Sequence, residues 1–417
     1  MTAWKESTAF RVFCSSDMRN ILPNMIALLP NAAYLSETSR MLEIYKALAG
    51  LGAPVRFASH GGSYEDVIDV PWDLVPPRMD AGRSARFVRE GLGLGAGDQS
   101  MYSDAEMREH VLAEAAYFRE HGVKIVVTGI ALTTLLSSRL AGVALATEHA
   151  GVFVPPVTGD GPAGSRLHCD GFDRVAAELG VEGVPSLAAL LLGDLTLVPE
   201  IPEVTGVPAE VLEAWSPGED PRYRPGTRLR YTGPLFAHLD RPVPAAVEAF
   251  LDAPGPVVYV ALTSTGPDLV RAVVEGLLTV DGLRVLVAAT VHDLADLGSG
   301  RVLVGGVLPS HEIMPRAALA VTAGGQGSVQ TALASGTPLI AFPLQPEQAL
   351  NVALAERLDA ARALAPRDVA DLPALAAEML ATDAHRKAAG RIADLYRRVD
   401  GPARAAEAVL DLYKTLA

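Results

Sequence analysis

The residues with the clearest chemical potential lie between Val321 and Asn351, in the segment VTAGGQGSVQTALASGTPLIAFPLQPEQALN. An apolar run, Ala317–Val321, stops at Gly324-Gly325-Gln326-Gly327-Ser328. A helical pattern follows (Val329, Ala332, Leu333), then Gly336, then a second strand-like run, Leu339–Phe342. Strand, glycine turn, helix, strand is a βαβ unit, and its turn lacks side chains where a ligand could approach. Backbone N–H groups at the helix start would face that ligand, which suits an anion such as a diphosphate. A tight turn that binds nothing uses the same residues, and glycine clusters at strand–helix turns are common.

Proton-transfer chemistry has fewer carriers. His149, with Glu148 beside it, follows the apolar stretch Ala141–Ala146 and precedes Pro155-Pro156, which suits a strand end. His60 follows the strand-like run Val55–Ala58. Either imidazole could act as a base. A lone histidine in such a place is equally an ordinary satisfied or solvated one.

The elements that must position these groups form two α/β halves. Strand-like runs at Met25–Leu29, Val55–Ala58, Ile125–Thr128 and Leu195–Val198 alternate with helical patterns at Ser39–Ala49, Ala105–His121 and Thr133–Ala141. That alternation implies parallel strands with helices on both faces. From Gly61 to Ser103 the pattern breaks down, which reads as part of a binding pocket or as a surface excursion. A Pro-rich linker begins near Ala237–Ala246. Beyond it, Val257–Leu262, Val285–Ala289, Val302–Val304, Ala318–Val321 and Leu339–Phe342 read as strands, and Leu372–Leu416 as tail helices.

Composition sets limits. At 417 residues the chain is too long for one ordinary core, so two domains of roughly 200 residues are the natural division. The formal charge of −14, with no basic block, argues against nucleic acid and anionic membrane surfaces as partners. No apolar run approaches the roughly 20 residues of a spanning helix. No secretory signal is visible in MTAWKESTAFRVFCSSD. Cys14 and Cys169 make neither a disulfide framework nor a metal site. The expectation is a soluble cytoplasmic protein, monomer or homodimer.

The late segment resembles the donor-binding signature of family 1 nucleotide-sugar glycosyltransferases of the GT-B fold, which runs roughly T-H-G-G-x-G-S, A-L-x-x-G-x-P, P-x-x-x-D-Q-x-x-N. Thr322, Gly324, Gly325, Gly327, Ser328, Ala332, Leu333, Gly336, Pro338, Pro343, Gln348 and Asn351 match, and Glu347 stands for the Asp. The histidine before the glycines is Ala323. Leu195–Pro199, Tyr231–Leu235, Val258–Thr265, Gly306–Pro309 and the segment from Ile26 extend the resemblance over most of the chain.

The resemblance implies an α/β, GT-B architecture: two Rossmann-like domains facing across a cleft. It divides the chain into an acceptor-binding domain (1–238), a linker (239–250), a nucleotide-sugar-binding domain (251–395) and a tail helix returning to the first domain (396–417). The implied reaction is displacement at the anomeric carbon of a sugar nucleotide, usually inverting, with a small-molecule acceptor and no metal or resident cofactor. Gly324, Gly325, Gln326, Gly327 and Ser328 would hold the diphosphate, with hydroxyl donors from Ser264 and Thr265 and the base passing near Leu308. Glu347 and Gln348 would contact sugar hydroxyls, unless they serve only to cap a helix. The family's catalytic histidine corresponds to Tyr34, a poor base near its ordinary pKa of about 10. Glu37, one turn on, could substitute or could simply sit in a first helical turn. Glu148 and His149 are the further candidates. With both family histidines replaced, a nucleotide-sugar-binding auxiliary protein without turnover is the alternative to an active transferase.

Overall fold

The computed structural model describes residues 24–91, 101–149, 151–159, 165–166, 168–236, 241–262, 265–289 and 293–416. Two parallel sheets organise them. The first holds β1 (Met25–Leu28), β2 (Val55–Ser59), β3 (Trp72–Leu74), β4 (Val123–Thr128), β5 (Ala144–Thr147), β6 (Leu195–Val198) and β7 (Arg228–Tyr231), in the order β3-β2-β1-β4-β5-β6-β7. The second holds β8 (Val257–Ala261), β9 (Arg284–Ala288), β10 (Val302–Gly305), β11 (Leu319–Thr322), β12 (Leu339–Ala341) and β13 (Ala361–Ala363), in the order β10-β9-β8-β11-β12-β13. Both are Rossmann-like sheets, and the fold is GT-B. Their interior strands are buried on both faces, as Ile125, Val126 and Val127 show, which is why they read as continuous apolar runs.

Each sheet reverses its winding beside its first strand, between β1 and β4 and between β8 and β11. Ligands of open α/β sheets bind outside the carboxyl ends of the strands at such a point. The first switch point is followed by the helix Leu35–Gly50, the second by the glycine turn and the helix Gln326–Ala334.

The described residues between Gly61 and Ser103 carry more secondary structure than the sequence suggests. It contains β3, which pairs with β2 through Phe57 and Trp72, and a helix, Ala81–Gly91. A three-residue edge strand with half-exposed side chains leaves no apolar run to read. Residues 92–100, Asp98 among them, lie outside the described residues. Helix Leu35–Gly50 also begins earlier than its periodicity shows, because its first turn buries the polar residues Glu37, Thr38 and Ser39.

The last helix, Gly401–Leu416, shares an apolar cluster with Met41, Leu48, Ile125 and Leu197 through Ala405, Val409 and Leu412. Tyr413 donates to the Asn24 carbonyl at 2.9 Å. The chain therefore passes between the sheets twice, and the two passages touch. Gly233, at φ +84°, lies against Val399, and Gly401 lies against the Pro234 carbonyl, so a Cβ on either would collide. Nearby, Glu200 accepts hydrogen bonds from Tyr396 (2.9 Å) and Gln330 (3.2 Å), and burial pushes its carboxyl up to about 7. No helix among the described residues is long and apolar enough to cross a membrane.

Candidate active site

Glu37 is the centre of the N-terminal side. It is 2% exposed, and its Oε1 accepts the Asn31 backbone N–H at 2.9 Å. Its Oε2 is buried without a hydrogen-bond partner, as is Asn31 Nδ2. Burial pushes this carboxyl up to about 8; the Glu148 charge adds to that, while the Asn31 and Ile130 N–H groups and the Arg40 charge oppose it. Gly129, just beyond β4, makes the arrangement possible. A Cβ there would stand 2.8 Å from Glu37 Cδ and 2.9 Å from Glu148 Oε1.

The other acid/base candidates fare differently. Glu148, beyond β5, is fully buried and clamped by Arg40, with Nε at 3.1 and 3.0 Å from its two oxygens and Nη2 at 2.9 Å. Those lone pairs are committed to a guanidinium, so Glu148 is not a free base. Burial, reinforced by Arg40, pushes His149 down to about 4, leaving it neutral and a weak proton acceptor. Burial, with Glu37 nearby, pushes the Tyr34 phenol well above its ordinary range, and its ring packs edge-on against Phe87 at 6.0 Å. His60 sits between the Pro77 carbonyl (3.2 Å) and the buried carboxylate of Glu114 (3.0 Å), a satisfied histidine.

On the facing side, Gly325 caps the helix Gln326–Ala334. The position that demands glycine is Gly324, at φ +81° and with any Cβ 2.7 Å from Val352 Cγ2. Gly325 has an ordinary φ of −62° and faces open space. Gln326, Gly327 and Ser328 form the first helical turn, whose N–H groups have no intrahelical acceptor. Gly327 meets the other domain: a Cβ there would lie 3.6 Å from Ser36 Cβ and 3.8 Å from Arg40 Nη1. Two helix N-termini thus converge, one from each sheet. The Gln326 amide packs against Gly151, and its Nε2 is buried without a partner.

The structure gives the expected donor-site residues these partners. Gln348 Oε1 accepts the N–H groups of Leu344 (2.8 Å) and Gln345 (3.2 Å) in a capping box of the helix Pro346–Glu356, so its side chain is engaged in capping. The Glu347 carboxylate accepts from Asn351 and from the Gln326 backbone N–H, and burial raises its proton affinity. Thr265 donates its hydroxyl hydrogen to the Leu262 carbonyl at 2.9 Å. Leu308 is buried in an apolar cluster with Tyr259 and Ile313. Ser264 lies outside the described residues. Asn31, Arg40 and Gly129 escaped the sequence reading; the signal for Arg40 was its i,i+3 spacing from Glu37.

No protein-family model matches the chain. Among curated proteins it is similar to the demethyllactenocin mycarosyltransferase of Streptomyces fradiae, 32% identical over 161 residues, which is 37% of this chain and 35% of that protein. It is also similar to a PGL/p-HBAD biosynthesis glycosyltransferase of Mycobacterium tuberculosis, 26% identical over 207 residues, 49% of this chain and 44% of the relative. The matches thus span less than half the length of these curated relatives. Among solved structures, spinosyn rhamnosyltransferase SpnG is 17% identical with a TM-score of 0.63, covering 94% of this chain and 99% of its own. Further structures of SpnG are complexed with thymidine diphosphate and with the spinosyn aglycone.

Proposed function

We propose that this protein is a glycosyltransferase that moves a sugar from a nucleoside diphosphate sugar, UDP- or TDP-linked, to a small specialised-metabolite acceptor, with inversion and without a metal. The observation that carries the reading is the convergence of two unlike groups across the cleft. One is the first turn of helix Gln326–Ala334, where the N–H groups of Gly327 and Ser328 have no intrahelical acceptor. The other is Glu37, whose unpartnered Oε2 belongs to a carboxyl that titrates near 8. An anion cradle facing a near-neutral base is what displacement by an acceptor hydroxyl requires. Sequence similarity to a demethyllactenocin mycarosyltransferase and to a PGL/p-HBAD biosynthesis glycosyltransferase supports the same reading.

The step assigns each group a task. The acceptor hydroxyl gives its proton to Glu37 Oε2 while its oxygen bonds to the anomeric carbon. The bond from that carbon to the diphosphate oxygen breaks, and the diphosphate leaves with the electron pair. Its growing charge meets the N–H groups of Gly327 and Ser328 and the positive end of the helix. Residues 1–238 would hold the acceptor and 251–395 the donor, joined by 239–250 and by the returning segment 396–417.

The test is release of nucleoside diphosphate from a panel of UDP- and TDP-sugars, with and without hydroxylated aglycones, and proton NMR of the product's anomeric centre. Turnover that depends on Glu37, with inverted configuration, is the expected outcome. Retained configuration would refute the single displacement. A folded protein that binds donor nucleotide and never turns it over would refute the transferase.

A further inference from the structure

Position 323, where the resembled signature carries a histidine, cannot present any group to a ligand here. Ala323 is 6% exposed and packs into the apolar cluster of Val258, Val260, Leu262 and Phe342. A departing diphosphate carries at least two negative charges, whereas a helix N-terminus supplies roughly half of one positive charge. A cation has to come from elsewhere.

The structure brings Arg40 to that place from the opposite domain. It projects from helix Leu35–Gly50 and is 6% exposed, with its Nη1 edge turned toward Gly327 at the start of helix Gln326–Ala334. Two carboxylates surround it. Glu148 takes its Nε and Nη2. Glu347 lies within electrostatic reach and accepts the N–H of Gln326, the first residue of that helix. A carboxylate therefore already occupies the spot where helix N–H groups and a guanidinium would together hold an anion. The unpartnered, buried Gln326 Nε2 and Glu37 Oε2 border the same place.

We propose that Arg40 is the cation of the diphosphate site, standing in for the histidine absent at Ala323, and that Glu148 and Glu347 are resident carboxylates whose hold on this site a bound diphosphate displaces. The proposal rests on the nucleotide-sugar reading above. A guanidinium suits the role because its planar fork binds phosphate oxygens bidentately and keeps its charge at every physiological pH. It also ties donor binding to domain approach, since Arg40 and Gly327 belong to different sheets.

Calorimetric titration of the full chain with UDP and TDP, and with the matching nucleosides and monophosphates, tests it. Removing Arg40 alone would strand a buried Glu148 charge, so the neutral pair R40Q/E148Q is used. It should bind the diphosphates at least 10-fold more weakly than the parent does, with a much smaller change for the nucleosides. E148Q alone frees the guanidinium and should bind diphosphates several-fold more tightly. If R40Q/E148Q binds UDP and TDP as tightly as the parent, Arg40 is not in the phosphate site, while the donor reading stands. Should the double variant fail to fold, E148Q decides: unchanged or weaker diphosphate affinity overturns the proposal. A folded parent that binds no nucleotide brings down the donor reading and this proposal together.

Discussion

Replacing Glu37 by Gln separates what this residue does for catalysis from what it does to stability. Gln keeps the volume and can still accept the Asn31 N–H, so the change removes the ionisable oxygen and little else. Raising a carboxyl from 4.5 to about 8 corresponds to about 5 kcal/mol of unfavourable free energy once the group ionises in the folded protein. The folded state holds this proton more tightly than the unfolded state. The stabilising contribution is therefore complete below about pH 4.5 and lost as pH rises to about 8. The parent should lose stability across that window, and E37Q should lose less. Near pH 5 the two should melt together. At pH 9 the variant should be the more stable by up to about 5 kcal/mol, with Tm moving by roughly 2–4 °C per kcal/mol for a domain of this size. Activity should move the other way. In the parent, kcat/KM should climb with pH and level off above about 8, and E37Q should be slower by roughly 10²–10⁴. Differential scanning fluorimetry from pH 5 to pH 9 and initial rates over the same range make the comparison. Parallel melting curves would show that Glu37 is not held protonated by burial; transfer by E37Q within a few-fold of the parent would remove it as the base.

Gly324→Ala should lower Tm and abolish nucleotide binding, through its φ of +81° and the collision with Val352, whereas Gly325→Ala should fold and bind normally; calorimetry with UDP and TDP compares them. Gly129→Ala should wedge Glu37 and Glu148 apart and reduce kcat, read from initial rates, by at least about 10-fold, since a 1 Å misplacement can cost about 10²-fold. His149→Ala should slow transfer by no more than a few-fold, because an imidazole pushed down to about 4 is a weak base; a loss comparable to that of E37Q would exchange their roles. Tyr396→Phe removes one of the hydrogen bonds to the buried Glu200, and should lower Tm by a few degrees for a loss of about 1–3 kcal/mol.

The sequence announced the glycine turn and most of both sheets, because long parallel strands and a helix start leave local marks. It hid β3, β7 and β13, edge strands of three or four residues with too few apolar positions to show a period, and it showed β5 only as an apolar stretch. The site was half legible. A Glu in a first helical turn looks like a dipole partner from sequence alone. What makes Glu37 unusual is Gly129 and Glu148, each about 100 residues away and brought together only by the β1–β4–β5 order. The same distance concealed the Arg40–Glu148 clamp, which turned a candidate base into a committed partner. Gln348 shows the converse, since the capping alternative for it could be read locally, and its side chain takes that role up. Polar atoms left unpartnered in the interior, such as Asn31 Nδ2 and Gln326 Nε2, exist only in three dimensions.

The paired passages at Gly233 and Gly401 carry a mechanical implication. Two bodies joined by one flexible strand can swivel freely, but two strands pressed together at one point act as a door hinge with a single axis. An opening about that axis would expose the whole mouth of the cleft at once, and closing would return the Leu35 and Gln326 helix starts to the same meeting place. Redundancy follows as well. With the last helix embedded against the first sheet through Ala405, Val409 and Leu412, one cut in the outgoing passage leaves the halves tethered by the return. Two separately expressed pieces, divided between the sheets, should therefore find each other and rebuild one molecule.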